Sequence, residues 1–285
     1  MSSILTNSSA MNALSTLRSV NNQLGETQSR ISTGMKVNSA KDNASYFSIA
    51  TTMKSESGMN KAVNEGLTLT KNSVSTARLG AETVVGLAQQ FVDRLAFAQT
   101  EGVDQADVQK ELDSLTAQMK TAIEQSSFNG ENLISSTTVA AADRTVVSGV
   151  SRNGGTLSTT EITFKTSGMM GLVDDGTNAA NTTFAGIQIT DGASATAALS
   201  IAEGFLATAV DAATDLGIAE KQIETQQTFL NELGDRLDAG VGSMVDADME
   251  KEAARLQSLQ VQQQLSTQAL SIANQAPQNI LSLFR

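Results

Sequence analysis

The sequence lacks cysteine, histidine and tryptophan altogether, and it contains a single proline. Without cysteine no disulfide supports the fold, and without histidine the most frequent general base and zinc ligand are missing as well. Two acidic pairs remain, Asp174 with Asp175 and Asp246 with Asp248. A glycine-flanked turn and a helix cap explain these pairs better than a calcium site does. We therefore expect no catalytic residue, no metal and no cofactor.

Charged residues are also few, at 17% of the 285 residues, and aromatic residues make up only 4%. The core must therefore be built from aliphatic side chains and alanine. The net charge of -11 repels phosphate backbones and anionic lipid, so we expect neither nucleic acid nor a membrane as a partner. Residues 1–14 carry no signal-peptide pattern, and no apolar run of about eighteen residues occurs. The sequence thus predicts neither a cleaved secretory signal nor a membrane span.

The closing stretch, residues 245–285, predicts one long amphipathic helix. Its apolar residues recur at steps of four, four and three, which keeps them on one helix face, and such a face requires a partner. Asp246 and Asp248 are placed to cap the start. Pro277 predicts a gentle bend or a loosening of the last two turns. The apolar face consists of Val261, Leu265, Ala269, Ile272, Ala276, Ile280 and Leu283.

Residues 1–35 form a second amphipathic segment with a seam of two positions per heptad. One position is apolar throughout, whereas its companion is half polar. Such a weak seam suits shared packing among several helices better than a two-stranded coiled coil. The first position holds Leu17, Leu24 and Ile31, and the companion holds Leu14, Asn21, Gln28 and Met35.

Long helices are predicted between these two ends. A 3.5-residue repeat through residues 49–98 predicts a rod on the order of 75 Å. Asp104 begins a further helix with Asp107 as its capping-box partner, and Phe128-Asn129-Gly130 closes it. The strongest heptad follows residue 200 and predicts a helix antiparallel to the rod. The rod seam is Ile49, Met53, Val63, Leu67, Val74, Ala77, Ala81, Val84, Ala88, Phe91, Leu95 and Ala98, and the later heptad is Leu216, Ile223, Leu230, Leu237 and Met244.

The helical period disappears between residues 135 and 198 and resumes near Ser200. Strand-favouring residues at 145–147 and 161–166, with Asn153-Gly154-Gly155 between them, predict a hairpin. Residues 187–189 predict a third strand. Because this segment has few large apolar residues, we expect it to decorate the helices rather than to form its own core.

Both ends of the chain resemble bacterial flagellin, the subunit of the flagellar filament. The resemblance covers about 1–135 and 200–285. The C-terminal signature is matched by residues 272–285, Ile-Ala-Asn-Gln-Ala-Pro-Gln-Asn-Ile-Leu-Ser-Leu-Phe-Arg, and by Asp-Ala-Asp at 246–248. The N-terminal signature is matched by residues 31–42, Ile-Ser-Thr-Gly-Met-Lys-Val-Asn-Ser-Ala-Lys-Asp, together with Phe128-Asn129-Gly130.

The resemblance implies a mainly α fold, a nested and discontinuous helical rod with coiled-coil-like terminal helices and a small β-rich insertion at its distal tip. The expected domains are a terminal-helix inner core (1–42 plus 245–285), a helical rod (43–137 plus 199–244) and a short β-rich variable outer segment (138–198). It further implies that the subunit is exported unfolded by a type III apparatus and becomes part of the extracellular filament used for swimming. A hook-to-filament junction protein, which has a similar architecture, is the alternative.

The partners implied by the resemblance are other copies of the chain, an export chaperone at the C-terminal helix, and the filament cap and hook-filament junction proteins. The stripe at residues 10–35 is expected to be one partner of the apolar face of the closing helix, and neighbouring copies are expected to supply the others, so the terminal stripes are polymer interface. Residues 1–35 and 250–285 are expected to become helical only on assembly. The expected interface residues are Leu14, Leu17, Leu24, Ile31, Leu256, Leu259, Val261, Leu265, Ile272, Ile280, Leu283 and Phe284.

Two departures from the family pattern stand out. Tyr46 and Phe47 replace the usual Gly and Leu, so the connector is expected to pack differently. Residues 90–95 read Gln-Phe-Val-Asp-Arg-Leu where many flagellins have Gln-Arg-Ile-Arg-Glu-Leu, the patch engaged by the vertebrate Toll-like flagellin receptor. The diverged patch predicts weak or absent receptor activation. It comprises Phe91, Asp93, Arg94 and Leu95.

Overall fold

The computed structural model describes residues 7–153, 156–176 and 180–282, with side chains for all of these except residues 153 and 276–282. Within that part of the chain the fold is mainly α, with six helices and one two-stranded sheet. The helices are α1 (Ser8–Thr33), α2 (Ala44–Phe97), α3 (Gln105–Gln125), α4 (Met170–Val173), α5 (Gly192–Val245) and α6 (Met249–Ser282), and the strands are β1 (Ala142–Asn153) and β2 (Thr156–Thr166).

The chain divides into two compact units. The terminal unit consists of Met1–Ser57 and Asp235–Arg285, and so contains α1, α6 and the adjoining ends of α2 and α5. The central unit is Gly58–Gly234, and it contains α3, α4, the two strands and the remainder of α2 and α5.

The seam of α2 forms the core of the central unit, as the 3.5-residue repeat predicts. Eight of its residues, and Ala98 directly after the end of the helix, are at most 1% exposed. The prediction is wrong at the start of the helix, where Ile49 in the terminal unit is 48% exposed. The buried seam residues are Leu67, Val74, Ala77, Ala81, Val84, Ala88, Phe91, Leu95 and Ala98.

The predicted heptad of α5 is buried only in part. Leu216, Ile223 and Leu230 are buried in the central unit. Towards the end of α5, Leu237 and Met244 are half-buried, and Val241 and Val245 are the buried positions. A straight α-helix has 3.6 residues per turn, so residues spaced strictly by seven rotate gradually away from the buried face. Residues eleven apart, such as Leu230 and Val241, stay on that face.

α5 is, among the described residues, the one helix long and apolar enough by composition to cross a membrane, with a window of mean hydropathy 1.4. Part of that apolarity comes from alanines on one helix face. Those alanines lie in the core of the central unit, namely Ala195, Ala198, Ala202, Ala209 and Ala212. α5 therefore lines the core of this unit along one face, although only 22% of the apolar window is buried.

Polar side chains fix the starts of α3 and α5. Asp104 accepts a hydrogen bond from the N–H of Ala106 at 2.9 Å, as predicted, but Asp107 binds Lys110 Nζ at 2.8 Å instead of closing a capping box. α5 begins at Gly192, well before Ser200, because Asp191 and Ser194 cap it reciprocally. Asp191 Oδ1 accepts from the Ser194 N–H at 2.7 Å, and Ser194 Oγ accepts from the Asp191 N–H at 3.0 Å.

The predicted long closing helix is present as α6, but it starts at Met249 rather than at Val245, where α5 ends. Asp248 caps α6, with Oδ1 accepting from the Lys251 N–H at 3.1 Å. Asp246 instead forms an antiparallel bridge with Met35. The helix continues past Pro277 as far as Ser282.

β1 and β2 form the predicted antiparallel hairpin, while Gly154 and Gly155 of its turn lie outside the described residues. The register shifts between Val147 and Gly149, which makes Ser148 a bulge. Gln226 Nε2 of α5 donates to the Ser148 carbonyl at 2.8 Å. The hairpin is thus anchored to α5 at its bulge.

Residues 187–189 are not a third strand. Gln109 of α3 supplies the bonds that a neighbouring strand would make: its Nε2 donates to the Ile187 carbonyl at 3.2 Å, and its Oε1 accepts from the Ile189 N–H at 3.0 Å. Both isoleucines are buried in the same core as the helices. Residues 135–198 therefore extend the helical core, in agreement with the prediction that they have no core of their own.

Candidate polymer interface

α1 and α6 form an antiparallel pair in the terminal unit. Three polar contacts fix their register. Asn7 Nδ2 donates to the Ala273 carbonyl at 2.8 Å, and Gln263 Nε2 donates to Asn21 Oδ1 at 2.8 Å. Near the other end of the pair, an ion pair joins Arg30 Nη1 to Glu252 Oε1 at 3.4 Å.

The face of α1 that packs on α6 differs from the predicted seam at one position. Leu17, Leu24 and Ile31 are half-buried, as expected for seam residues. The predicted companion position is wrong, since Asn21 and Gln28 are exposed and Leu14 is 37% exposed. The residues four positions before Leu17, Leu24 and Ile31 face inward instead, because steps of four and three keep both sets on one face of the helix. They are Ala13, Val20 and Thr27.

α6 presents two opposite faces. One packs on α1 and includes the buried residues Glu252 and Leu259 and the half-buried Leu256. The predicted apolar stripe lies on the other face, at roughly half a turn from Leu259. The expectation that this stripe is the surface matched by residues 10–35 is therefore wrong. Its described members are exposed: Val261 by 54%, Leu265 by 59% and Ile272 by 69%.

Three predicted interface residues fall where the structure gives no side-chain information. The side chain of Ile280 lies outside the described part, and so do Leu283 and Phe284 entirely. The described part of the stripe is therefore an apolar surface on α6 that no residue of the described chain covers.

Charge is distributed unequally between the two units. Residues 1–17 and 256–284 contain no charged residue. The terminal unit as a whole carries nine basic and nine acidic residues, and the central unit ten basic and twenty-one acidic. The whole net charge of -11 therefore belongs to the central unit. Copies of the terminal unit can pack side by side without net repulsion.

The connector between α1 and α2 is held against the end of α5 within the terminal unit. The N–H of Lys36 donates to the Val245 carbonyl at 2.7 Å, and the N–H of Ala247 donates to the Gly34 carbonyl at 2.8 Å. Asp42 Oδ2 accepts from the backbone N–H groups of residues 38 and 39, and these hydrogen bonds hold the pKa of Asp42 below its usual value. The connector is a defined loop.

Only two of the four residues of the diverged receptor patch lie at the protein surface. Phe91 and Leu95 are fully buried in the core of the central unit, whereas Asp93 and Arg94 are exposed. Arg94 Nε lies 3.2 Å from Glu111 Oε2 of α3. A partner reaching this part of α2 can contact the side chains of Asp93 and Arg94 but not those of Phe91 and Leu95.

The acidic pairs do not gather into a metal site: the described residues contain no group of three or more His, Cys, Asp or Glu side chains placed to hold an ion. Asp174 instead accepts hydrogen bonds from Lys120 Nζ and from the N–H of Gly176, both at 2.9 Å. These two bonds, that from Lys120 most of all, hold the pKa of Asp174 below its usual value.

The fold and this surface define a class: a mainly α protein whose two chain ends fold together and leave an apolar helix face open. Sequence comparison supplies the family. The model of the bacterial flagellin N-terminal helical region matches residues 4–138, and that of the C-terminal helical region matches residues 199–284. The chain belongs to the bacterial flagellin family.

Several relatives match over the full chain. A flagellin of Brucella melitensis is 42% identical, with all of both chains covered. Flagellin C of Rhizobium meliloti is 35% identical, again with all of both chains covered. Flagellin FljM of Caulobacter vibrioides is 35% identical, covering 100% of this chain and 99% of its own. The chain is accordingly a structural subunit that polymerises with itself into the flagellar filament, and nothing in these matches favours the junction protein.

Proposed function

We propose that the exposed stripe of α6 is the surface through which copies of the terminal unit join in the filament. One observation carries this proposal: α6 is paired with α1 along one face, yet it exposes Val261, Leu265 and Ile272 along the opposite face. Exposed apolar patches of this kind mark interaction surfaces. The surrounding stretch of 29 uncharged residues, 256–284, allows close packing without desolvating charge.

The α1–α6 pair is also too weakly packed to order itself alone. In α1 only Val20 and Thr27 are buried, and the polar Glu252 is one of the two buried residues of α6 within 249–275. Ordering each residue costs about 1–2 kcal/mol for the backbone, whereas a buried aliphatic side chain contributes about 1.5–3 kcal/mol. We infer that residues 1–35 and 250–285 become helical on assembly, when neighbouring copies cover the stripe.

The proposed domain division has a terminal-helix inner core (1–42 plus 245–285), a helical rod (43–137 plus 199–244) and an outer segment (138–198). The gap between the two family matches, 139–198, supports the outer segment as the variable part. Because both ends of the chain fall in one compact unit, they are the natural inner core.

We further propose that the subunit is secreted unfolded by a type III apparatus, with an export chaperone covering the C-terminal helix until assembly. A helix with an unpaired apolar face is the type of surface that a hydrophobic groove on a partner protein receives. The filament cap and the hook-filament junction proteins are the proposed partners at the two ends of the polymer. Rotation of the assembled helix then transmits torque.

Single substitutions on the stripe test the interface. Leu265→Asp and Ile272→Asp each place a charge on it, so we expect purified chain to form no filaments. Gln260→Asp is the matched control, because it adds the same charge to an exposed position of α6 off the stripe. Assembly is followed by sedimentation and electron microscopy. Filaments of normal length from either stripe variant would contradict the proposed interface.

Hydrogen exchange tests the ordering step. We expect rapid exchange at residues 1–35 and 250–285 in dilute monomer and strong protection of the same amides in the filament. Protected termini in the monomer would contradict the ordering of these residues on assembly. They would not contradict the proposed interface, which the stripe variants test.

A further inference from the structure

The terminal unit has a small core of its own near the start of α2 and the end of α5. Three small or medium aliphatic side chains are buried in it, and three methionines pack against them, each half-buried. Three of the ten methionines of the chain therefore share one core, which we call the methionine core. The buried residues are Ala50, Val241 and Val245, and the methionines are Met35, Met53 and Met244.

The methionine core holds the connector between α1 and α2. Met35 belongs to this connector and forms the antiparallel bridge with Asp246. The next N–H, that of Lys36, donates to the Val245 carbonyl at 2.7 Å. α1 ends two residues before Met35, and α6 starts three residues after Asp246. The methionine core thus fixes the point from which both terminal helices start.

Met53 is packed closely against α5. A Cβ atom at Gly240 would lie 2.8 Å from Met53 Cε, so the glycine makes room for the terminal methyl group of Met53. Sδ is bonded to Cε, and the surrounding buried side chains of Ala50 and Val241 have no polar atoms. An oxygen atom added to this sulfur would therefore enter apolar surroundings that offer its new dipole no side-chain partner.

Met35 is accessible from the other side of the connector. A cavity of about 390 Å³ lies there, and every residue that lines it except Met35 is polar or charged, including Arg30, Lys36 and Asp42. A polar cavity of this size admits water. Small polar oxidants can enter it in the same way, so they can reach the one thioether on its wall.

We propose that the methionine core is an oxidation site that controls whether the subunit assembles. The oxidant is a peroxide or hypochlorous acid outside the cell. With hydrogen peroxide, one oxygen atom is transferred to Sδ, the sulfur gives up two electrons, and the peroxide is reduced to water. The product, methionine sulfoxide, is polar and disrupts apolar cores. It loosens the connector and with it the start of α1 and α6. The effect on assembly rests on the proposed function of the terminal unit.

Peptide mass spectrometry of wild-type monomer treated with hydrogen peroxide tests the site itself. Met119 and Met169 are the internal controls, because both are 0% exposed in the core of the central unit. We expect sulfoxide to form at Met35 about tenfold faster or more than at these two positions. Equal rates at Met35 and Met119 would overturn the proposal, and this readout does not depend on assembly.

Methionine-to-leucine variants test the effect on assembly, because leucine keeps the volume of the side chain but cannot be oxidised in this way. The first variant combines Met35→Leu, Met53→Leu and Met244→Leu. The matched control combines Met11→Leu with Met249→Leu, which removes methionines that are 65% and 45% exposed.

The critical concentration for assembly is measured before and after peroxide treatment. We expect it to rise about tenfold or more in the wild type and in the control, and to change less than about twofold in the triple variant. A rise in the triple variant equal to that of the wild type would contradict the proposal. If the untreated triple variant does not assemble, Met35→Leu alone replaces it and should lose less than the wild type, whereas an equal loss would contradict the proposal.

Enzymatic reduction gives a further check on the wild-type chain. The two methionine sulfoxide reductases, one for each sulfoxide epimer, convert the sulfoxides back to methionine. We expect the treated subunit to regain its original critical concentration once positions 35, 53 and 244 are reduced. A loss of assembly that persists after their reduction would show that the damage lies elsewhere.

The two proposals fail separately. If Leu265→Asp blocks assembly while oxidation at Met35 leaves assembly unchanged, the α6 interface stands and the oxidation site does not. If Leu265→Asp assembles normally while oxidation at Met35 prevents assembly, the oxidation site stands and the α6 interface does not.

Discussion

Arg30 and Glu252 are 222 positions apart in the sequence, yet Arg30 Nη1 lies 3.4 Å from Glu252 Oε1. Glu252 is only 8% exposed, and its second oxygen, Oε2, has no hydrogen-bond partner among the described residues. The ion pair joins the end of α1 to the start of α6. It is therefore a polar contact inside an otherwise weak helix pair.

Arg30→Met should destabilise the filament, because it leaves the Glu252 carboxylate buried without a partner. We expect a loss of about 2–3 kcal/mol per subunit, less than for a fully buried pair, since a third of the Arg30 side chain is exposed. Glu252→Met is the control and should be neutral or stabilising, because it removes the buried charge itself. The measurement is the temperature midpoint of filament depolymerisation. A larger loss from Glu252→Met than from Arg30→Met would contradict this account.

Phe184→Ala should destabilise the central unit by about 3–5 kcal/mol, because a buried aromatic ring leaves a cavity. The Phe184 ring lies 5.0 Å from that of Phe91 and 5.4 Å from that of Phe205, edge-on to both. Phe229→Ala is the matched control, since Phe229 is 55% exposed, and it should cost less than about 1 kcal/mol. Urea denaturation of the free chain measures both. Equal losses would show that Phe184 does not join the outer segment to the helical core.

The sequence patterns identify the core residues wherever one face of a long helix is buried. The repeat of α2 identifies Leu67 to Ala98 as core, because a helix with one buried side must carry apolar residues at that period. The sequence also identifies Asp104 as the residue that caps the start of α3. Periodicity alone does not identify the face of α6 that meets α1, because that inward face contains Glu252 and Gln263 and the outward face is the more apolar one.

The remaining differences have local causes. The predicted start of α5 near Ser200 is too late, because the alanines of its first turns show no contrast between the helix faces, although Asp191 and Ser194 carry the capping signal. The third strand was predicted because Ile187 and Ile189 alternate with polar neighbours, which also fits an extended segment bonded by a side chain. The partner, Gln109, is distant in sequence, so no local pattern reveals it.

Gln109→Met should destabilise the central unit by about 1–3 kcal/mol, because methionine keeps the length of the side chain but leaves a buried carbonyl and a buried N–H without partners. Gln118→Met on the exposed face of the same helix is the control and should change stability by less than about 0.5 kcal/mol. Urea denaturation followed by circular dichroism gives both values. An unchanged midpoint for Gln109→Met would show that water replaces the glutamine without cost.

The Lys120–Asp174 ion pair predicts a pH dependence of stability. Its carboxylate has a pKa lowered by the hydrogen bond from Lys120, so the folded state favours the ionised form. The contribution is fully present above the ordinary carboxyl pKa of about 3.9 and is lost as the pH falls through the lower folded-state pKa. Asp174→Asn should therefore be less stable than wild type at pH 7, and the difference should shrink below about pH 4. A difference that stays constant between pH 7 and pH 2 would exclude this carboxylate as its source.

The diverged patch on α2 predicts that the purified monomer activates the vertebrate Toll-like flagellin receptor weakly or not at all. Phe91 is fully buried, so its side chain cannot contact the receptor at the position where many flagellins have an arginine. Asp93 and Arg94 are exposed and reverse the charges of the usual arginine and glutamate. The measurement is a cell reporter assay, with a flagellin carrying Gln-Arg-Ile-Arg-Glu-Leu as the positive control. Asp93→Arg combined with Arg94→Glu should raise the response, because it restores both exposed charges without disturbing the core. A full-strength response from the unmodified monomer would show that recognition does not depend on this patch.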